Sequence, residues 1–290
     1  MKSFLFTVFL ILFIFVVFNY NKEIIKFITK EEIVIKESKN ERSDEFIYFK
    51  NTTNFKPDNY RELLNVYYTF LNKGWDDFTF YCGRQYEDCL NDMEKVSSDS
   101  TLLSNINNFI NPANSFNEVY TSYTFAGKIT LRNERLYSDE MLLNIYSKVD
   151  EIYNNRINDS MDTLTKIRTI HDYIINTTKY DEAQIYPDSS NAYGLFMNGY
   201  AVCGGYSDAM SFFLIKMGIP NIKISNESHI WNLVKIDDSW YHLDLTWDDP
   251  VTSDNSDILD HIFFMIDTQT LKSMDTKEHS FNENIFLEAK

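Results

Sequence analysis

Apolar residues recur at helical spacing in two neighbouring stretches near the middle of the chain. The first stretch follows Ser138, a typical N-cap residue, and the second begins near Met161. The periodic positions are Leu142, Ile145, Val149 and Ile152 in the first stretch, then Met161, Leu164, Ile167, Ile170 and Ile174 in the second. This pattern predicts two long amphipathic helices, each with one buried face.

A third helix is predicted over Cys203–Met217, because Gly218 supplies a C-terminal stop and Pro220 forbids continuation. Cys203 therefore lies at or next to a helix N-terminus, where the helix dipole favours a thiolate. The free backbone N–H groups of such a helix start, including that of Cys203 itself, are natural donors to an oxyanion. Gly204 and Gly205 are expected to let a substrate backbone approach closely.

Two strands are predicted after this helix, over 229–236 and 240–246, joined around a turn-type cluster at 237–239. The length of the loop decides which side chains share a face of the hairpin. A loop of two or four residues places His229 and Asp244 on the same face, whereas a three-residue loop places them on opposite faces.

The region 45–135 has mixed helical and strand character and no motif that carries chemistry, so we expect it to be structural or substrate-presenting. Its Cys82 and Cys89 are seven residues apart. In an exported protein they would form a disulfide; otherwise they would be two reduced, buried side chains, and both alternatives stay open.

The first twenty residues are predicted to lie outside the globular part. Lys2 precedes an apolar run from Phe4 to Phe18, which as a helix rises about 22 Å and falls short of a hydrocarbon core of about 30 Å. No small-x-small cleavage site follows, so an uncleaved signal anchor is favoured over a cleaved signal peptide. We expect a membrane-anchored protein whose catalytic part is extracellular, or alternatively a secreted protein, although three lysines after the segment do not favour that orientation.

The chain is accordingly divided into a membrane segment (1–20), a charged spacer (21–44), the mixed α/β region (45–135) and a C-terminal domain (136–290). The formal net charge of the 290 residues is -16, with no basic stripe. This excludes a nucleic-acid partner, because phosphate binding needs clustered Lys and Arg.

Candidate chemistry is concentrated in the C-terminal domain. Cys203, His229 and Asp244 supply, in that order, the thiol, imidazole and carboxylate that nucleophilic acyl transfer needs. His242 would share their face of the hairpin and is the rival general base. We favour His229 because it begins its strand, where it can meet the helix end that bears Cys203. His171, on the second helix, is expected to pack or hydrogen-bond rather than to catalyse.

The sequence predicts neither a metal nor a cofactor. Asp248-Asp249-Pro250 is interpreted as a strand-ending turn rather than a cation site, because no calcium-loop spacing surrounds it. Cys82 and Cys89 have no further ligand nearby at zinc-site spacing.

Several short blocks of the C-terminal domain together resemble the bacterial transglutaminase-like (transglutaminase/protease-like) domain, over about residues 160–250. The blocks are Ile170-His171-Asp172-Tyr173-Ile174, Lys179-Tyr180-Asp181, Ala192-Tyr193-Gly194, Gly199-Tyr200-Ala201-Val202-Cys203-Gly204-Gly205-Tyr206, His229-Ile230-Trp231-Asn232-Leu233-Val234, and the run from Trp240 to Pro250. The resemblance implies an α+β, papain-like fold, in which a Cys-bearing helix packs against an antiparallel sheet that carries the His and the Asp.

By this resemblance, Cys203 is the nucleophile, His229 the general base and acid, and Asp244 the orienting carboxylate. Three further residues are candidates for oxyanion or substrate contacts: Gly204, Tyr193 and Trp231. Tyr180 is a second candidate oxyanion donor, and Trp231 could equally belong to the core.

These predictions together indicate a cysteine acyltransferase or hydrolase that acts on protein or peptide substrates, including those of the cell envelope. A thioester on Cys203 would be resolved by an amine in cross-linking, or by water in proteolysis or deamidation, with hydrolysis slightly favoured. Two other classes stay open. One is a non-catalytic module that binds cell-envelope ligands in the same cleft; the other is a structural envelope protein organised by residues 45–135.

Overall fold

The computed structural model describes residues 12–13, 33–42, 46, 48–251, 258–274, 277–286 and 289. The chain divides into two compact units. Unit 1 comprises the described residues within 1–41, 50–100 and 116–135, and unit 2 comprises those within 42–49, 101–115 and 136–290. Unit 2 thus contains the predicted C-terminal domain together with 42–49 and 101–115, and the four-part division of the chain stays a prediction.

The predicted membrane segment over 1–20 lies outside the described residues, apart from Leu12 and Phe13. Among the residues that the structure does describe, no helix has the length and apolar character needed to span a membrane.

Unit 1 is a small α/β unit with an antiparallel sheet of strand order β1-β3-β2. Its elements are α1 (Tyr60–Asn72), β1 (Asp77–Tyr81), α2 (Cys89–Ser98), β2 (Phe116–Tyr123) and β3 (Lys128–Arg135). Cys82 and Cys89 form a disulfide between the end of β1 and the start of α2. Of the two alternatives left open by the sequence, the structure therefore has the oxidised one.

Unit 2 surrounds one central helix, α7, with other helices and a four-stranded sheet. Its helices are α3 (Ser100–Phe109, whose first residue belongs to unit 1), α4 (Asp139–Arg156), α5 (Thr163–Thr177), α6 (Ala192–Asn198), α7 (Cys203–Lys216) and α8 (Thr268–Met274). A 3-10 turn (Pro112–Asn114) follows α3.

The two amphipathic helices predicted from the periodicity are α4 and α5. The Ser138 side chain caps α4 by accepting a hydrogen bond from the Met141 N–H, and all four predicted apolar positions of α4 are buried. In α5 the apolar face is buried from Ile167 onwards, but Leu164 is 48% exposed. The prediction is wrong at Leu164, because this residue lies in the first turn, before the buried face of α5 begins.

The sheet of unit 2 is antiparallel, in the order β6-β7-β8-β9. Its strands are β6 (Asn221–Ser225), β7 (Ile230–Ile236), β8 (Ser239–Leu243) and β9 (Phe264–Ile266); a short parallel pair, β4 (Lys179–Tyr180) and β5 (Tyr200–Ala201), lies apart from it. Helix α7 packs against β6 and β7, and its residues are buried from Gly205 to Leu214. The Cys-bearing helix thus packs on an antiparallel sheet, as expected.

The hairpin of β7 and β8 has a two-residue loop. Ile236 pairs with Ser239, so the loop consists of Asp237 and Asp238, and Asp237 takes a positive φ of 53°. The loop length is even, which confirms the condition for placing His229 and Asp244 on one face of the hairpin.

Candidate active site

Cys203 is the first residue of α7. The preceding Val202 has an extended backbone; its N–H donates to Ser189 O and its carbonyl accepts from the N–H groups of Gly205 and Tyr206. Within the described part of the chain, the N–H groups of Cys203 and Gly204 donate to no backbone carbonyl. The helix start therefore presents two unpaired backbone donors beside the thiol, which is the arrangement that stabilises an anion.

The glycines around Cys203 are required by a loop of the protein itself. A Cβ at Gly204 would lie 2.4 Å from Ser190 O, and one at Gly205 would lie 2.7 Å from Ser189 O. Gly194 has the same relationship to this loop, with Asp188 O at 2.2 Å. The expectation that Gly204 and Gly205 leave room for a substrate backbone is therefore wrong, because the 188–190 backbone occupies that space.

His229 precedes β7 and lies between the two other members of the predicted triad. Its Nε2 lies 2.5 Å from Asp244 Oδ2, and its ring is close enough to Cys203 for the thiol to help raise the pKa of the imidazole. Since Nε2 faces the carboxylate, Nδ1 is the ring nitrogen left for the thiol. Asn226 Oδ1 accepts from the His229 N–H at 2.9 Å, which fixes the backbone at this position.

Asp244 is fully buried and uses both of its oxygens. Its Oδ1 accepts from the N–H groups of Thr246 at 2.9 Å and Trp247 at 3.3 Å. Its Oδ2 accepts from His229 and also from His279 Nε2 at 2.8 Å. The Asp244 carboxylate therefore holds two imidazoles on one oxygen and two backbone donors on the other.

His279 is the site residue that sequence reasoning missed. It lies in the C-terminal stretch 277–286, which has no hydrophobic periodicity or motif. Its ring is buried, stacks on Phe263 with 5.0 Å between ring centroids, and packs edge-on against Trp231. The sequence contains only five histidines, so each of them could have been considered as a possible site residue.

The electrostatics of the group favour an imidazolium next to the thiol. Burial lowers the pKa of His229, but the charge and hydrogen bond of Asp244, aided by Cys203, outweigh burial and raise that pKa to about 10. Burial acts in the opposite sense on Asp244, yet His229 and His279 together hold the pKa of its carboxyl well below the usual range. At neutral pH, Asp244 is therefore a carboxylate and His229 is an imidazolium beside the Cys203 sulfur.

His242, the rival base, belongs to a separate group of hydrogen bonds behind the site. Its Nδ1 accepts from Trp231 Nε1 at 3.0 Å, and its Nε2 lies 3.0 Å from Thr268 Oγ1. Burial, reinforced by the charge of His279, lowers the pKa of His242 to about 3. A buried, neutral imidazole with both nitrogens occupied is a structural residue, as favoured from the sequence.

Trp231 and Tyr193 are two of the proposed substrate contacts. Trp231 is 1% exposed and stacks on His229 at 5.5 Å between ring centroids, so it supports the imidazole and offers no surface to a substrate. Tyr193 lies in the first turn of α6, and no hydrogen bond among the described residues joins its side chain to the triad. The expectation of a substrate contact is thus corrected for Trp231.

Tyr180 lies on the open side of the site. Burial, then the nearby Cys203 and Asp244, raise the pKa of its hydroxyl, so it stays a neutral hydrogen-bond donor. A pocket of about 250 Å³ adjoins it. The pocket is lined by Tyr180, Thr246, Trp247, Asp249, Pro250 and Val251. Since Thr246 and Trp247 are also the backbone donors to Asp244, this pocket adjoins the Asp244 end of the predicted triad.

Two groups of described residues bring metal-ligating atoms within 4.8 Å of one another: His229, Asp244 and His279, and separately His171, Asp172 and His261. In the first group, both imidazoles are hydrogen-bonded to Asp244 Oδ2. In the second, His171 is completely buried and lies in contact with acidic residues rather than with Cys203, in line with the expectation that it does not act as a catalyst.

Comparison with known proteins identifies the class of domain that carries this site. Residues 151–245 match the sequence profile of the transglutaminase-like superfamily. The span includes Cys203, His229 and Asp244, and it agrees with the resemblance stated from the sequence blocks. This chain therefore contains a transglutaminase-like domain.

Two solved structures are similar to part of the chain. One is the crystal structure of a TGase, with 16% identity and a TM-score of 0.32 over 46% of this chain and 44% of the other. The other is a candidate cysteine protease from Cytophaga hutchinsonii, with 12% identity and a TM-score of 0.29 over 49% of this chain and 65% of the other. The chain thus spans less than two thirds of the length of each. No curated protein sequence matches the chain.

Proposed function

We propose that this protein is a thiol-dependent enzyme that transfers acyl groups from peptide or glutamine amides through a thioester on Cys203. The observation that carries the proposal is the convergence of three groups: the Cys203 thiol at the N-terminus of α7 acts on the His229 ring, and His229 is hydrogen-bonded to Asp244. The superfamily match over the same residues supports it.

In the first half-reaction, the Cys203 thiolate attacks the amide carbonyl carbon, its proton residing on His229. The N–H groups of Cys203 and Gly204 receive the negative charge that develops on the carbonyl oxygen. As the tetrahedral intermediate collapses, the C–N bond breaks and His229 passes its proton to the leaving amine or ammonia. Asp244 holds the ring in the orientation that both transfers need.

In the second half-reaction, an acceptor attacks the thioester while His229 takes a proton from it. The C–S bond breaks and the Cys203 thiolate is regenerated with the imidazolium beside it. Water as the acceptor completes hydrolysis of a peptide or deamidation of a glutamine, whereas a lysine amine forms a cross-link. The chemistry on Cys203 is the same in either case.

We propose further that the protein is exported and attached to the membrane through residues 1–20. The Cys82–Cys89 disulfide supports export, because such bonds persist in oxidising compartments. Protein or peptide substrates of the cell envelope follow from this placement.

The proposal is tested by alkylating the full-length chain with iodoacetamide between pH 5 and 9. Since Cys82 and Cys89 are paired, Cys203 is the free thiol among the three cysteines, and the label reports on it alone. We expect labelling at pH 6 to be at least about tenfold faster than that of a small free thiol, and to lose this advantage in His229→Ala. His242→Gln is the control that should keep it.

The protein is then incubated with peptides that contain glutamine and lysine. Mass spectrometry of the products identifies the acceptor as water or amine, with Cys203→Ala as the inactive reference. If Cys203 is labelled no faster than the small thiol and the peptides stay unchanged, the proposed enzymatic activity is contradicted and the non-catalytic binding module is favoured.

A further inference from the structure

We propose that His171, Asp172 and His261 form a binding site for one divalent transition-metal ion, with Zn²⁺ the best suited. The site is separate from the triad and does not depend on the proposed enzymatic activity. This proposal differs from the expectation, drawn from the sequence, that the protein holds no metal. The sequence did not indicate the site because His261 lies far along the chain from His171 and Asp172, in a stretch without a motif.

The three side chains converge on one carboxylate oxygen. Asp172 Oδ1 lies 2.9 Å from His171 Nδ1 and 2.7 Å from His261 Nε2. Two imidazole nitrogens and a carboxylate form a ligand set that Zn²⁺ and its neighbours among the divalent metals bind well. In a tetrahedral zinc site, bonds of about 2.0–2.1 Å place ligand atoms about 3.3 Å apart, so the ion would enter with shifts of a few tenths of an ångström.

His171 has a carboxylate at each ring nitrogen. Opposite Asp172, its Nε2 lies 3.1 Å from Asp248 Oδ2, and both His171 and Asp248 are 0% exposed. A neutral imidazole has one N–H and can satisfy only one of these two carboxylates. With the N–H on Nε2, toward Asp248, the lone pair of Nδ1 points to the side of Asp172 and is available to a metal ion.

The Asp248 side supplies the outer support that metal-bound imidazoles have. Asp248 Oδ1 accepts from the Phe263 N–H at 2.8 Å, which fixes the carboxylate and leaves Oδ2 for His171. A carboxylate on Nε2 keeps the proton there and makes Nδ1 the ligating atom. Buried support on one side and ligands on the other is the arrangement of a metal centre.

An ion can reach the site from solvent. The side chains of Asp172 and His261 are 32% and 27% exposed, whereas His171 closes the inner wall. Three protein ligands also leave a fourth position for a water molecule. These features predict an exchangeable ion rather than one sealed into the fold.

Metal binding would stabilise the segment that carries the catalytic carboxylate. Asp248 lies four residues after Asp244 and its N–H donates to the Asp244 carbonyl at 3.3 Å, while its own carbonyl accepts from Asp260 N at 2.9 Å. An ion that joins His171 on α5 to His261 would therefore restrain the chain on both sides of Asp248.

The proposal is tested by calorimetric titration of ZnCl2 into the full-length chain carrying Cys203→Ala, after treatment with a chelator. Removing the thiol eliminates a competing Cys–His site next to the triad. We expect one equivalent to bind in the micromolar range or tighter, a higher thermal midpoint, and a visible spectrum of bound Co²⁺ when cobalt replaces zinc.

Two matched substitutions locate the ion. His261→Gln, added to Cys203→Ala, should weaken binding at least tenfold and abolish the thermal shift, whereas His279→Gln in the same background should preserve both. The reverse pattern would assign the ion to His229, Asp244 and His279 and overturn the proposal. Absence of saturable binding in a folded Cys203→Ala protein would also overturn it, and would mean that His171 carries a second proton instead.

Discussion

His279 Nε2 lies 2.8 Å from Asp244 Oδ2, the same oxygen that accepts from His229 at 2.5 Å. A residue 35 positions beyond Asp244 thus shares the carboxylate that orients the proposed base. Because His279 is packed between aromatic rings, it restrains the position of Asp244 as well as its charge.

Replacing His279 by alanine should lower kcat/KM on a peptide substrate by about tenfold or more. A hydrogen bond to a charged group contributes about 1.5–3 kcal/mol, and about 1.4 kcal/mol corresponds to a factor of ten. His279→Gln retains an N–H donor and should recover much of the loss. Steady-state kinetics and thermal unfolding of both variants check this prediction. If both variants lose the same share of activity, and the loss follows their loss of stability, His279 has only a packing role.

His242 should stay neutral from pH 5 to pH 9. Burial lowers its pKa to about 3, so its ring NMR signals should not titrate between pH 5 and 9. Within the same range, His229 should stay protonated because its pKa is raised to about 10. Histidine-labelled NMR spectra, assigned with His242→Gln and His229→Gln, distinguish the two; a His242 signal that titrates near pH 6.5 would refute this assignment.

The His229–Asp244 pair should make stability depend on pH at both ends of the range. The raised pKa of His229 means that its contribution is complete below about pH 6.5 and is lost as pH rises through about 10. The lowered pKa of Asp244 means that its contribution is present above about pH 4 and is lost on further acidification.

Urea unfolding midpoints measured from pH 3 to pH 10.5 provide the check. The stability difference between the parent chain and His229→Gln should be largest between about pH 5 and 7, and should shrink toward both extremes. A difference that stays constant with pH would show that the pair is not ionised in the folded state.

Gly204→Ala should disturb the helix start that holds the thiol. The added Cβ would lie 2.4 Å from Ser190 O, and relieving such a contact costs about 1–3 kcal/mol and moves the backbone. Gly218→Ala, beyond the opposite end of the same helix, is the control: its φ of 71° costs about 1–2 kcal/mol, but nothing lies within 4 Å of the new Cβ. Both variants should lose stability, whereas only Gly204→Ala should slow alkylation of Cys203. Equal alkylation rates per folded molecule would contradict this account.

Local patterns of the sequence predict much of unit 2. Helical periodicity and the cap at Ser138 indicate α4, and Gly218 with Pro220 indicates the end of α7. The turn residues before Ser239 indicate a hairpin, and the thiol–imidazole–carboxylate order yields a condition on loop length that the pairing of Ile236 with Ser239 meets. These features are predictable because each depends on residues that are close together along the chain.

The sequence by itself determined the chemical groups and the local elements that carry them: a thiol at a helix start and an imidazole and carboxylate on one hairpin. Only the tertiary structure decided what surrounds these groups. It brought His279 onto Asp244, filled the space beside Gly204 with the 188–190 loop, and turned Trp231 inward behind His229. The physical reason is that burial, desolvation and hydrogen-bond sharing depend on residues distant along the chain, which no local pattern encodes.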